Sequence, residues 1–243
     1  MARIGYDDVD AAAFEATRHL TDDGRAAWRA AITRHLAPRP GMRLLDLGAG
    51  TGSWARAFDE WFPGIDVVAV EPSEAMRARS VFAPSLAGDA AHIPLGGDGV
   101  DGVWMSTVIH HVPDLTAAAH ELRRVLRPGA PLLIRSAFAG RHDGISLFRW
   151  FPEAVRVLDT YPSIAQVEDA FAGAGFETAA LEPVPQTTAP SLREAAATLR
   201  RDAHTPLKLI TDDEYATGLR RLREAAQVVT GPVVDVLDLL VLR

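Results

Sequence analysis

A chain of 243 residues, 48% hydrophobic and 23% charged, is long enough to bury a substantial core and too apolar for extended disorder. Its net charge of −7 provides no basic excess for a duplex-binding face, and the lack of cysteine excludes disulfides, thiolate metal sites and cysteine nucleophiles. No run approaches the roughly 20 apolar residues of a membrane span, and residues 1–10 lack the apolar core of a signal peptide, so the cytoplasm is the expected setting.

Residues 10–36 read as helical, with Asp22 and Asp23 as candidate caps and Trp28, Ile32 and Leu36 on one face. Pro38, Pro40 and Gly41 stop that run. An apolar strand, 42–47, leads into a glycine-rich turn at 48–52. Trp54, Phe58 and Phe62 then repeat at helical spacing up to Pro63-Gly64. The next strand, 65–70, is nearly all apolar, as expected when both faces of a sheet are covered. A short helix at 73–80 precedes a strand within 98–106, a helix at 115–126 and a strand at 131–136. A further helix, 164–174, ends at Gly175, and 177–181 reads as a strand.

Strict alternation of strand and helix predicts an α/β fold with a parallel sheet covered on both faces. Two segments interrupt it. Residues 138–161 form a connection rich in aromatics (Phe138, Phe148, Trp150, Phe151, Tyr161), and 191–227 is helical ahead of a last strand at 233–242. The second segment reads as an insertion between the two final strands. Nothing marks a linker, so 1–243 reads as one domain with its core in 40–138 and 164–243.

The chemistry starts at Leu44-Leu45-Asp46-Leu47-Gly48-Ala49-Gly50-Thr51-Gly52, which leaves a strand and opens a helix. Glycines let the backbone bend sharply and a ligand approach closely, and the helix N-terminus presents N–H groups to it. A dinucleotide fingerprint is G-x-G-x-x-G. The spacing here is G-x-G-x-G, with Ser53 at the third-glycine position. Asp46 would repel a pyrophosphate but receives a positively charged amino group. The turn therefore suits an amino-acid moiety better than a dinucleotide.

With these residues the sequence resembles the class I S-adenosylmethionine (SAM)-dependent methyltransferases over about residues 43–138. Asp46, Gly48, Ala49, Gly50 and Gly52 match the family's first motif, which holds the methionine part of SAM. Glu71 stands where the family places an acid on the ribose hydroxyls, 19 positions after Gly52, the length of one helix plus one strand. Gly88-Asp89-Ala90 resembles the motif whose acid meets the adenine amino group, with a turn cap as the plainer role for Asp89. Residues 106–111 and the Leu126-Arg127-Pro128-Gly129 turn also match. The resemblance implies a Rossmann-like doubly wound sheet, mostly parallel with an antiparallel last strand and helical cap elements. SAM is the implied cofactor and S-adenosylhomocysteine the product, with Pro72, Met76, Ser106 and Thr107 completing the cofactor set.

Methyl transfer from a sulfonium is an in-line displacement, and a base helps when the acceptor is a hydroxyl. His110 and His111 follow the fourth strand beside the expected methyl group and are candidate bases, because a histidine side chain ordinarily titrates near neutrality, although such histidines also serve as packing groups. Arg135 ends the fifth strand and is expected to pair with a neighbouring carboxylate or to bind an acidic acceptor. Helices in 10–36, the aromatic connection and the insertion 191–227 are the expected acceptor cap. Tyr6, His142, Phe148 and Trp150 are its candidate acceptor contacts. No His-x-x-x-His pair occurs, and no metal site is expected.

Ser106-Thr107-Val108-Ile109 lacks the Asn-Pro-Pro-Tyr pattern of amino-group methylation on adenine or glutamine. The expected acceptor is therefore a small molecule of secondary metabolism, with O-methylation favoured and no nucleic-acid or membrane partner. The chain is expected to be a monomer or homodimer. Three readings compete: a SAM-binding protein with other chemistry, an NAD-dependent oxidoreductase and a non-enzymatic interaction module. Ser53, and the lack of a Tyr-x-x-x-Lys pair for the sole lysine, Lys208, count against NAD. The complete set Asp46, Glu71, Asp89 counts against a bare interaction module.

Overall fold

The computed structural model describes residues 22–243. Seven strands form one sheet: β1 (Arg43–Leu47), β2 (Asp66–Val70), β3 (Ser85–Leu86), β4 (Gly102–Ser106), β5 (Leu132–Ser136), β6 (Thr178–Ala189) and β7 (Val233–Leu242). Their order is β3-β2-β1-β4-β5-β7-β6. The first five pair in parallel, and β7 runs antiparallel between β5 and β6. This is the mostly parallel sheet with an antiparallel last strand that the sequence implies.

Successive side chains of a strand point to opposite faces, so an apolar strand feeds two cores. Leu45, Leu47, Val103, Met105 and Ile134 face one cluster, closed by Leu122 of α4 (Leu115–Val125) and by Val167 and Phe171 of α7 (Ile164–Ala172). Leu44, Trp104, Leu133 and Leu239 face the other, closed by Trp28 and Ile32 of α1 (Asp22–Leu36) and Phe58 of α2 (Ser53–Trp61). A short helix, α3 (Glu74–Ala78), follows β2.

A third cluster lies off the sheet. The aromatic connection folds into α5 (Ser146–Trp150) and α6 (Val155–Leu158), which pack through Phe148, Phe151 and Leu158. The insertion between β6 and β7 supplies α8 (Leu192–Thr198), α9 (Thr205–Lys208) and α10 (Asp212–Ala225), the last opened by a Thr211–Glu214 capping box.

Two strands differ from the sequence reading. β6 runs eight residues past 181, through Pro183 and Pro185. Proline cannot donate to a ladder, but β6 is the sheet's edge and pairs only with β7, so those missing N–H groups face outward. β3 has only two residues, too short to leave a pattern in the sequence.

Candidate cofactor and acceptor site

The turn between β1 and α2 is tied to the end of β2, where Val70 O accepts from Gly48 N (2.8 Å) and Ala49 N (3.0 Å). Gly48, Gly50 and Gly52 take φ of 72°, 57° and 78°, a region that glycine enters without penalty. A Cβ at Gly48 would collide with Val108, and one at Gly52 with Ser80. The glycines thus let the turn press against the segment that follows β4 and the loop that follows α3.

Asp46 lies under this turn with 1% of its surface exposed, and among the described residues no donor closes a hydrogen bond on either carboxylate oxygen. Burial pushes its carboxyl up to about 8, the nearby Ala55 amide opposes that, and the charge of Glu71 adds to it. Glu71 follows β2, and its two oxygens accept from Gly50 N (2.9 Å) and Ser73 N (2.8 Å). Burial raises its carboxyl too, while the Ser73 and Gly50 amides and then Arg77 pull it down. Arg77 also ties the Glu71 and Pro72 carbonyls, and Met76 of α3 is buried. Asp89 follows β3, is half exposed and accepts from Ala91 N (2.8 Å) and His92 Nδ1 (3.2 Å), so one of its oxygens caps a turn. Gly88 is pressed against Pro94 and His92, and Ala90 packs into the sheet core. The three acids therefore stand on neighbouring parallel strands at their carboxyl ends, the edge where open α/β sheets bind ligands.

Next to the turn a cavity of about 380 Å3 lies over the ends of β4 and β5, the end of β6 and the start of β7. Its lining runs from Gly48 and Ala49 past Ser106, Thr107 and His110 to Phe148 and Trp150. Thr107 holds a left-handed backbone (φ 55°), strain of about 1–3 kcal/mol for a non-glycine residue. Its N–H donates to Arg135 O (2.7 Å), which fixes the chain as it leaves β4. His110 then stands on a single 3-10 turn, stacked face to face on Tyr161 at 4.1 Å, with the His111 ring 4.0 Å away.

Arg135 is buried in the cavity wall. It donates to Ser106 Oγ (3.0 Å) and Gln186 Oε1 (2.6 Å), and its guanidinium lies 4.8 Å over Trp28. Both of these acceptors are neutral oxygens, and the Asp235 carboxyl lies close enough to feel the Arg135 charge. Gln186 Oε1 also accepts from Trp28 Nε1 (2.8 Å).

The cavity thus brings together Gly48, Ala49, Ser106, Thr107, His110, Arg135, Phe148 and Trp150. Asp46, Glu71, Pro72, Met76, Gly88, Asp89 and Ala90 lie outside its lining, on the β1–β3 side. His111 does not line it, and His142 pairs with Asp143 (3.5 Å) at a separate depression. Tyr6 lies outside the described residues. Gln186 and Asp235 line the cavity without a signal in the sequence: Gln186 lies beyond residue 181, and Asp235 is one of two aspartates, with Asp238, in a mostly apolar strand.

A glycine turn between a strand and a helix, acids ending three adjacent parallel strands and a covered cavity beside them define a cofactor-binding α/β protein of the Rossmann-like kind. The sequence model of the methyltransferase domain matches residues 19–181. The chain belongs to this family, the class I SAM-dependent methyltransferases, and the NAD-dependent alternative falls with that match.

A demethylmenaquinone methyltransferase of Beutenbergia cavernae is 36% identical over 135 residues, 53% of this chain and 55% of that one. A ubiquinone/menaquinone biosynthesis C-methyltransferase of Paracoccus denitrificans is 35% identical over 117 residues, 44% of this chain and 47% of that one. The chain spans about half the length of the curated relatives it matches. Among solved structures, a putative methyltransferase from an antibiotic biosynthesis pathway of Anabaena variabilis superposes with a TM-score of 0.66 at 21% identity, covering 88% of this chain and 96% of that one. A phosphoethanolamine N-methyltransferase of Haemonchus contortus, solved with S-adenosylhomocysteine, gives 0.61 at 22% identity, covering 98% and 57%. A (4+2)-cyclase gives 0.61 at 19% identity, covering 96% and 89%. At such identities the likeness shows the fold alone.

Proposed function

We propose that the protein uses SAM to methylate a small molecule held in the cavity, on a hydroxyl oxygen, with His110 taking the proton. The observation that carries this reading is one cavity reaching from the glycine turn past His110 to the cap helices. Its size falls in the range of small-molecule sites. The residues fit SAM: the two buried oxygens of Asp46 that lack a donor suit an ammonium group. SAM supplies a methyl group made electrophilic by its sulfonium charge.

In this reading Asp46 receives the amino group and Gly48, Ala49, Gly50 and Gly52 line the methionine moiety. Glu71 accepts from the ribose hydroxyls and Asp89 from the adenine amino group. Pro72, Met76, Gly88, Ala90, Ser106 and Thr107 close around them. The protein's further task is to hold the acceptor oxygen in line and exclude water, which α5, α6 and the insertion helices do as a cap. Tyr161 holds the His110 ring in plane, and His111 packs beside it. The chain works as one domain in the cytoplasm, as a monomer or homodimer.

Ring-carbon methylation is a second reading, favoured by the relative named a C-methyltransferase. Removing a hydroxyl proton raises electron density on the neighbouring ring carbon too, so His110 serves both. Incubation with methyl-13C-labelled SAM and a panel of hydroxylated aromatics, demethylmenaquinol included, tests the reading. A new methoxyl carbon signal together with S-adenosylhomocysteine supports oxygen, and a ring-methyl signal supports carbon. SAM binding with no turnover on any member leaves the fold and cofactor standing and removes this function.

A further inference from the structure

The sheet side of the cavity carries a polar row that methyl transfer itself does not use. Arg135 on β5, Gln186 on β6 and Asp235 on β7 all line it, facing an apolar wall of Phe148, Leu192 and Leu222. Gln186 and Asp235 are direct partners in the β6–β7 ladder. Arg135 and Gln186 are already joined to each other and to Ser106 and Trp28.

Asp235 differs. Ser146, the first residue of α5, is its one hydrogen-bond partner among the described residues, donating from its amide at 2.7 Å and acting on the carboxyl through its hydroxyl too. A carboxylate offers about four acceptor positions, so capacity remains on the cavity side. Asp235 therefore holds the start of a cap helix while bordering the space beneath it. Burial raises its carboxyl, with Ser146 and then Arg135 pulling it down. The cavity already carries Arg25 and Arg135 in its lining, so a cationic ligand would meet like charges there. A neutral donor meets none of them.

We propose that Asp235 is the acceptor-recognition group: it accepts a hydrogen bond from a hydroxyl carried by a planar, largely apolar molecule at the end remote from the methylated atom. This rests on the methyl-transfer reading of the same cavity. Phe148 and Trp150 supply flat apolar surface for the ring, and His110 faces the hydroxyl at its other end. The ligand class is a dihydroxylated fused-ring compound rather than an amine.

The test is calorimetric titration of the S-adenosylhomocysteine-loaded protein with naphthalene, 2-naphthol and the 1,5-, 2,6- and 2,7-dihydroxynaphthalenes. At least one diol is expected to bind about ten- to hundredfold more tightly than 2-naphthol, the worth of a hydrogen bond to a charged acceptor. Asp235→Val should abolish that advantage. Asp235→Asn, which keeps the shape and loses the charge, should reduce it about threefold or more. Should the valine variant not fold, the asparagine variant decides alone. Diols no tighter than 2-naphthol, no binding of any probe, or an advantage that survives Asp235→Val would overturn the proposal. Titrating S-adenosylhomocysteine by itself tests the cofactor reading separately. If that fails, the probes are titrated into the ligand-free protein, where the same comparison still decides the role of Asp235.

Discussion

Asp46 makes the stability of the ligand-free protein depend on pH in a way that its replacement should remove. Its carboxyl ionises near 8 in the folded chain against an ordinary 3.8, so the native state holds a proton that the unfolded state has released. The contribution is intact at acid pH below about 4 and is lost as pH rises toward 8, by about 1.4 kcal/mol for each pH unit. Between pH 5 and pH 8 the wild type should lose about 4 kcal/mol that Asp46→Asn keeps. The introduced amide carries its own burial cost of about 1–3 kcal/mol, but that cost is the same at both pH values and cancels from the difference. The assay is urea unfolding of both proteins at pH 5 and pH 8 without ligand. A pH-dependent difference below about 1 kcal/mol would show that Asp46 is not held in the buried, donor-poor state described here. Saturating SAM should invert the pattern, because an ammonium against Asp46 favours the carboxylate. The wild type then gains stability at pH 8 while the variant gains little.

Three further outcomes are expected. His110→Ala should slow methyl transfer about a hundredfold or more with SAM affinity unchanged, measured by S-adenosylhomocysteine release and calorimetry; near-wild-type turnover would show that the ring only packs against Tyr161. Glu71→Ala removes the acceptor for two hydroxyls and the anchor of the Gly50 and Ser73 amides, so SAM affinity should fall about tenfold or more, and unchanged affinity would separate Glu71 from the cofactor. Gly48→Ala drives a methyl into Val108 at a φ of 72°, and should cost about 2–4 kcal/mol in urea unfolding; a loss below about 1 kcal/mol would mean the turn can back away from the segment after β4.

What the sequence reveals and what it hides divide along one physical line. The candidate cofactor half is written in short stretches. Asp46 to Gly52 and Glu71 needed only correct strand ends, which the alternation of strand and helix supplies, whereas Gly88 to Ala90 follows a strand too short to read and was legible only through the family resemblance. Even there, the mutual fit is invisible in sequence. That Gly50 donates to Glu71, or that Gly48 meets Val108, follows from strand register and turn depth, not from spacing. The acceptor half has no such local record. Arg135, Gln186 and Asp235 come from three strands, and β7 brings Asp235 beside Gln186 only after the insertion helices have been threaded between them. Gln186 lies past Pro183 and Pro185, residues that interior strands exclude and that are tolerated here because the strand is the sheet's edge. The aromatics of the connection were plain in the sequence, but not their division of labour: Phe148, Trp150, Phe151 and Tyr161 line the cavity, Tyr161 also stacks on His110, Phe138 packs into the sheet core, and His142 pairs with Asp143. On the proposed reading, acceptor specificity depends on long-range pairing of the last two strands, so substitutions that shift the β6–β7 register should alter which molecule is methylated before they alter SAM binding.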